Sequence, residues 1–188
     1  GSLEGRMKLA LSIAARVRAV WPAGKPLFCR LSVVDGSVDG WGVEDSVVLA
    51  QRLAELGVDV VDCSSGGLTE ETRALPVPRG LGFQLPFAER LRHGAKVRTQ
   101  AVGMIVDARQ AEAVLQAGQA DLVALGREAL LYPYWAHHAA AELGLDPGFE
   151  RWPIRHGIWL AKRAPGLAKA RAQAAEQHNT TVNERAAP

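Results

Sequence analysis

The chain is poor in cysteine, with two in 188 residues. That is too few for a small scaffold stapled by disulfides, and Cys29 and Cys63 match no metal-ligand spacing. Both sit in apolar, strand-like runs. They read as buried free thiols of a reducing compartment, which points to the cytoplasm. An excess of one charge is also missing. There are 22 basic and 20 acidic residues, for a net charge of +2, which gives no drive toward nucleic acid or a membrane surface. No apolar run approaches the roughly 20 residues of a membrane span. The opening residues carry no charged-then-apolar leader pattern. With 48% hydrophobic residues, the composition excludes a disordered chain and supports a packed core.

What is present is an alternation of two periodicities. A helix pattern runs from about Leu3 to Trp21, with Leu9, Ile13, Val17 and Val20 on its apolar face. Pro22, Gly24 and Pro26 stop it. Leu27 to Val33 reads as a strand, a glycine-rich loop spans Asp35 to Gly42, and Val43 opens a helix that Gly57 closes. The unit then repeats. Val58 to Cys63 is a strand, followed by a long loop over Leu68 to Gln84 and a helix from Leu85 to His93. Arg98 to Val102 and Asp121 to Leu125 are further strands, separated by a helix that Asp107 caps. A last helical stretch, Glu128 to Leu143, is interrupted at Pro133. Strands alternating with helices in this way predict an α/β fold with a parallel sheet, either part of a closed barrel or an open doubly wound sheet. From Ala164 the composition turns polar and alanine-rich. The expected organisation is a barrel-like body over residues 1–163 and a tail over 164–188, helical or disordered. The Gly-Ser-Leu-Glu-Gly-Arg opening enters a helical pattern almost at once, as a piece cut from a longer chain would.

Chemistry is expected where the strands end, because βα loops at that edge hold the ligands of α/β barrels. Gly103 and Gly126 sit at two such turns, where a missing side chain lets backbone approach an anion closely. Arg127 adds a guanidinium fork for phosphate oxygens. The competing reading makes both glycines plain tight turns and Arg127 a surface residue. Arg30 lies inside a mostly apolar strand, where an unpaired charge is expensive. Alternation puts it on one face with Phe28 and Ser32. An anion or electron-rich ring in a barrel mouth would explain it, and so would an ion pair with Asp62. Ser65 and Gly66 close the second strand with small residues that leave room for a flat ligand. The adjacent His137 and His138 point to different faces, so they read as surface or packing residues and not as a metal pair. Trp135, Trp152 and Trp159 read as core or interface anchors.

Taken together, these segments resemble the old yellow enzyme family, in particular its bacterial xenobiotic-reductase-like branch. Gly1-Ser2-Leu3-Glu4-Gly5-Arg6 is similar to the end of the family's YGGSLENR segment, with Gly5 in place of asparagine. Pro26 to Ser32 resembles the fifth barrel strand and Val60 to Gly67 the sixth. Gln84-Leu85-Pro86-Phe87-Ala88 resembles the start of the helix before the seventh. Ala101 to Ile105 and Asp121 to Arg127 resemble the seventh and eighth. The resemblance spans residues 1–163 and implies the C-terminal half of a (β/α)8 TIM barrel. It implies FMN as cofactor and NAD(P)H as reductant. Arg30 would then lie beside the flavin pyrimidine edge, with Gly103, Gly126 and Arg127 on its phosphate and Ser65 and Gly66 nearby.

The implied activity is an FMN-dependent ene-reductase acting on an enone-type small molecule. The family's substrate-gripping and proton-donating residues belong to its first four strands, which this chain lacks, so the expectation is a fragment without the substrate-activating half. Tyr132 and Tyr134 match no donor motif. Pro153-Ile154-Arg155-His156 departs from the family's Pro-Gln-Tyr-like segment. Two further readings stand beside this one. The first is a non-catalytic half-barrel that forms a homo-oligomer or pairs with a complementing N-terminal half-barrel, because open parallel edges invite pairing. The second is a phosphate-binding barrel of isomerase or synthase type, which gives no reason for Arg30.

Overall fold

Four strands end side by side in this protein, because each is followed by a helix that returns the chain to the same edge. The computed structural model describes residues 1–37, 39–67 and 79–186. The chain divides into two units, Gly1–Pro133 and Tyr134–Pro188. In the first unit, helix α1 (Leu3–Val20) leads to strand β1 (Phe28–Ser32), helix α2 (Val43–Glu55) and strand β2 (Val60–Ser64). Helix α3 (Leu85–Ala95) and strand β3 (Arg98–Ala101) follow. Helix α4 (Ala108–Gln116), the two-residue strand β4 (Leu122–Val123) and helix α5 (Arg127–Leu131) complete it. The expected loop over 68–84 lies outside the described residues from 68 to 78.

The sheet has the order β1-β2-β3-β4, and every pairing is parallel. Sequential order with a helix between strands is what a segment of a (β/α)8 barrel provides. The register sets two faces. Val61, Cys63, Thr99 and Ala101 are all but inaccessible. They form one face with the apolar sides of α2, through Leu49, Ala50 and Leu53, and α3, through Ala88 and Leu91. The other face carries a row across the strands, Arg30, Asp62, Gln100 and Leu122. This row is the more open, with Leu122 and the Arg30 side chain well exposed.

Helix ends follow the sequence signals. Ser2 caps α1 by accepting from the Gly5 N–H, and Asp107 caps α4 by accepting from the Gln110 N–H at 2.7 Å. Gly57 takes a φ of 88° just past α2, the left-handed turn that stops a helix without a Cβ penalty. At the edge opposite the strand ends, Asp121 accepts from both Nε and Nη2 of Arg92 and from the Thr99 N–H, tying α3 to β3 and β4.

Two expectations need correction. The face of α1 that packs is not the Leu9, Ile13, Val17 and Val20 stripe, which is exposed; Met7 and Ala14 are the buried residues. Strand β4 is shorter than the expected strand Asp121 to Leu125, and among the described residues it pairs only with β3.

The second unit begins with helix α6 (Trp135–Glu142) and ends with helix α7 (Ile154–Ala186), which contains Pro165. The helical pattern expected over 128–143 is thus two helices with Pro133 between them. Trp152 is buried and anchors this unit, with the rings of His137 and His138 at 4.9 and 5.1 Å and Tyr134 at 5.4 Å. The two histidines are the surface or packing residues the sequence suggested, each with its ring against Trp152, whereas Trp159 is exposed and forms no part of a core. Asp146 accepts from the Glu150 and Arg151 N–H groups and fixes the turn before Trp152.

Candidate functional site

The C-terminal ends of β3 and β4, with Arg30 of β1, border a cleft of about 590 Å³, within the range that small-molecule and cofactor sites occupy. Arg30, Gln84, Gly103, Gly126 and Arg127 line it, together with Arg79 and Glu128. Three guanidiniums against one carboxylate make it a place for an anion.

Each wall has its own cause. Arg30 reaches the cleft from the open face of the sheet. Asp62 accepts from its Nη1 and Ser64 Oγ from its Nη2, both at 3.2 Å. The two expectations for Arg30 therefore coexist: it is paired with Asp62, and it also lines the cleft. Because its partners sit on the neighbouring strand, the plane of the guanidinium is fixed before any ligand arrives. The other carboxylate oxygen of Asp62, Oδ1, is buried and has no hydrogen-bond partner.

The turn after β3 is strained. Gly103 has a φ of 117° and the next residue, Met104, a φ of 53°. Glycine accepts the first angle freely, whereas a methionine there costs about 1–3 kcal/mol. The Met104 carbonyl is pinned by the Gly82 N–H at 3.2 Å and by Gln110 Nε2 at 3.0 Å. A Cβ on Gly103 would run into Phe83 and Gln84, so the bare backbone is required by packing. At Gly126 the reason differs: a Cβ there would meet nothing within 4 Å. The space over Gly126 is open cleft, into which any side chain would protrude.

Four of the six sequence candidates, Arg30, Gly103, Gly126 and Arg127, therefore meet in one cleft. The other two do not line it. Ser65 lies behind it, joined to Gln84. Gly66 lines a neighbouring cleft of about 340 Å³ with Arg6, Ser32 and Trp41. The residues that sequence reasoning missed are Gln84, Met104, Arg79 and Gln110. No signal local to the sequence marks them, because each acts through a neighbour that only the fold supplies.

The thiols offer no nucleophile. Burial, with the Asp62 charge beside it, pushes Cys63 up to about 12, and burial raises Cys29 as well. Among the described residues, no group of three His, Cys, Asp or Glu side chains could hold a metal ion, and no helix is long and apolar enough to cross a membrane.

Comparison with known proteins adds a second line. A family model described as the NADH:flavin oxidoreductase / NADH oxidase family matches residues 1–146. The chain is 46% identical over 145 residues to an NADPH dehydrogenase of Geobacillus thermodenitrificans, covering 77% of this chain and 41% of that protein. It is 41% identical over 144 residues to an NADPH dehydrogenase of Halalkalibacterium halodurans, with the same coverage. It is 40% identical over 147 residues to an NADPH dehydrogenase of Bacillus subtilis, covering 78% and 41%. The chain spans about two-fifths of the length of these relatives.

Proposed function

The chain belongs to the NADH:flavin oxidoreductase / NADH oxidase family, and from that premise we propose that it forms the FMN-holding half of an ene-reductase driven by NAD(P)H. The observation that carries the proposal is the convergence of Arg30, Gly103, Gly126 and Arg127 on one cleft rich in guanidinium.

The residues fit a phosphorylated, flat ring. Gly126 leaves room that a Cβ would fill, and the Gly103 turn admits no side chain. Arg127 supplies a planar fork of donors suited to phosphate oxygens. Ser65 and Gly66 keep the end of β2 small. Arg30, oriented by Asp62 and Ser64, would place a fixed positive charge beside the ring and stabilise negative charge that develops there. When bound, FMN supplies hydride acceptance from NAD(P)H and hydride donation to an activated C=C bond. The contribution of this chain is to bind and orient the ring. The groups that grip a substrate carbonyl and deliver a proton come from elsewhere, and an enone-type small molecule is the proposed substrate of the whole protein. The free thiols support a cytoplasmic setting.

Flavin titration tests the reading. Saturable uptake of FMN, followed by quenching of its fluorescence, is expected, with affinity falling at least about tenfold in Arg127→Ala, as loss of a charged hydrogen-bond pair implies. Absence of uptake both by this chain and by a chain extended to the length of the relatives would sink the proposal.

A second reading is favoured by the sheet edges. Among the described residues β1 pairs only with β2 and β4 only with β3, so the half-barrel can act as a docking unit for a complementing half or for a second copy.

A further inference from the structure

The backbone ladder between β2 and β3 stops at Cys63 and Ala101. Just beyond, Ser65, two residues past Cys63, and Val102, one past Ala101, have left the ladder, yet their polar groups are not released. The Gln84 side chain lies between them. With its amide oriented by these neighbours, the oxygen accepts from the Ser65 N–H at 2.6 Å and from Ser65 Oγ at 2.7 Å, and the nitrogen donates to the Val102 carbonyl at 3.1 Å. The opposite orientation would set two oxygens face to face with no proton between them. Gln84 is only 5% exposed. One side-chain amide thus replaces the N–H and C=O exchange of a ladder pair and prolongs the β2–β3 pairing beyond its backbone end. The same amide touches the site, since a Cβ on Gly103 would come within 2.9 Å of it.

We propose that Gln84 is a positioning residue that fixes the spacing of the strand ends carrying Ser65 and Gly103, and so holds the Gly103 turn at the width a phosphorylated ligand requires. The identity of the ligand rests on the flavin reading above; the clamp itself does not. Gln84→Leu keeps the volume but leaves two backbone groups, the Ser65 N–H and the Val102 C=O, without the partner Gln84 supplies. Gln84→Glu is more telling. As a carboxylate it can accept from Ser65 but faces the Val102 carbonyl without a proton. As a carboxylic acid it donates there again. The other charged groups of the cleft are Arg30, Arg79, Arg127 and Glu128. All are kept in the variant, so the unaltered chain at each pH is the control.

Two measurements on the whole chain decide the matter: amide hydrogen exchange at Ser65 and FMN affinity, each taken relative to the unaltered chain at pH 7 and pH 5. At pH 7 both variants should bind FMN about ten- to a hundredfold more weakly, and Gln84→Leu, which removes the acceptor of the Ser65 N–H, should also exchange faster there. At pH 5 Gln84→Glu should regain affinity while Gln84→Leu does not. Unchanged Ser65 exchange in Gln84→Leu at pH 7, or no recovery of Gln84→Glu at pH 5, overturns the proposal. Should Gln84→Leu fail to fold, the two pH values of Gln84→Glu carry the test alone. If the unaltered chain takes up no FMN, the flavin reading falls by itself, and the exchange data still decide the clamp.

Discussion

At the scale of single residues, the two glycines of the cleft look alike in sequence and differ in physics. Gly103 is held to its identity by the fold. Its positive φ and the crowding by Phe83 and Gln84 mean that Gly103→Ala costs roughly 1–3 kcal/mol of stability. Gly126 is free of the fold, because the added methyl group meets open space. Gly126→Ala should leave the urea midpoint unchanged and still weaken FMN binding. Equal loss of stability in both variants, measured by urea denaturation, would contradict this division. Asp121 permits a prediction in pH. Burial pushes its carboxyl up, but the Arg92 fork, the Thr99 N–H and the Arg98 charge outweigh it and hold it below its ordinary 3.8. A lowered folded value means that the stabilisation is complete above the unfolded value and is lost as the pH falls through the folded one. Asp121→Asn should therefore be less stable at neutral pH and show a flatter acid limb below about pH 4 in urea titrations. Arg30 and the glycines were legible in the sequence, because a charge in an apolar strand and a glycine at a strand end break a pattern. Gln84 and Met104 were not, because their roles depend on which strand ends become neighbours and on a backbone angle that carries no compositional mark.

At the scale of elements, the strands and helices were readable nearly to their ends. The switch from two-residue to three-and-four-residue spacing is local, and caps such as Asp107 act within one turn. Which face of a helix is buried is a different matter, because it depends on the neighbour. On α1 the large apolar residues form the exposed stripe, while Met7 and the small Ala14 pack inward. Met7→Ala should cost about 2–5 kcal/mol, whereas Leu9→Ala should move the urea midpoint hardly at all. The reverse order would restore the periodicity-based assignment. Strand β4 shows the same limit, since the apolar run Leu122 to Leu125 gives no sign that, among the described residues, it pairs with β3 alone.

At the scale of the whole molecule, the two rims of the sheet, which have no further strand partner among the described residues, dominate. Phe28 on β1 and Leu122 on β4 are exposed, and the row from Arg30 to Leu122 faces outward from the helices. Sedimentation velocity should show an assembly that grows with concentration, and Phe28→Lys should oppose it, as charges do on natural edge strands. A sedimentation coefficient that stays at the single-chain value from micromolar to millimolar concentration would refute the expectation.

Because all four strands run the same way, the two rims are not interchangeable. A joint that keeps the strands parallel brings the β4 side of one molecule to the β1 side of the next, so contacts of that kind are head-to-tail. Such contacts have no natural stopping point unless they curve back on themselves. A pair that curves back completes a ring with two anion-seeking mouths on one rim; a pair that does not is the first link of a filament.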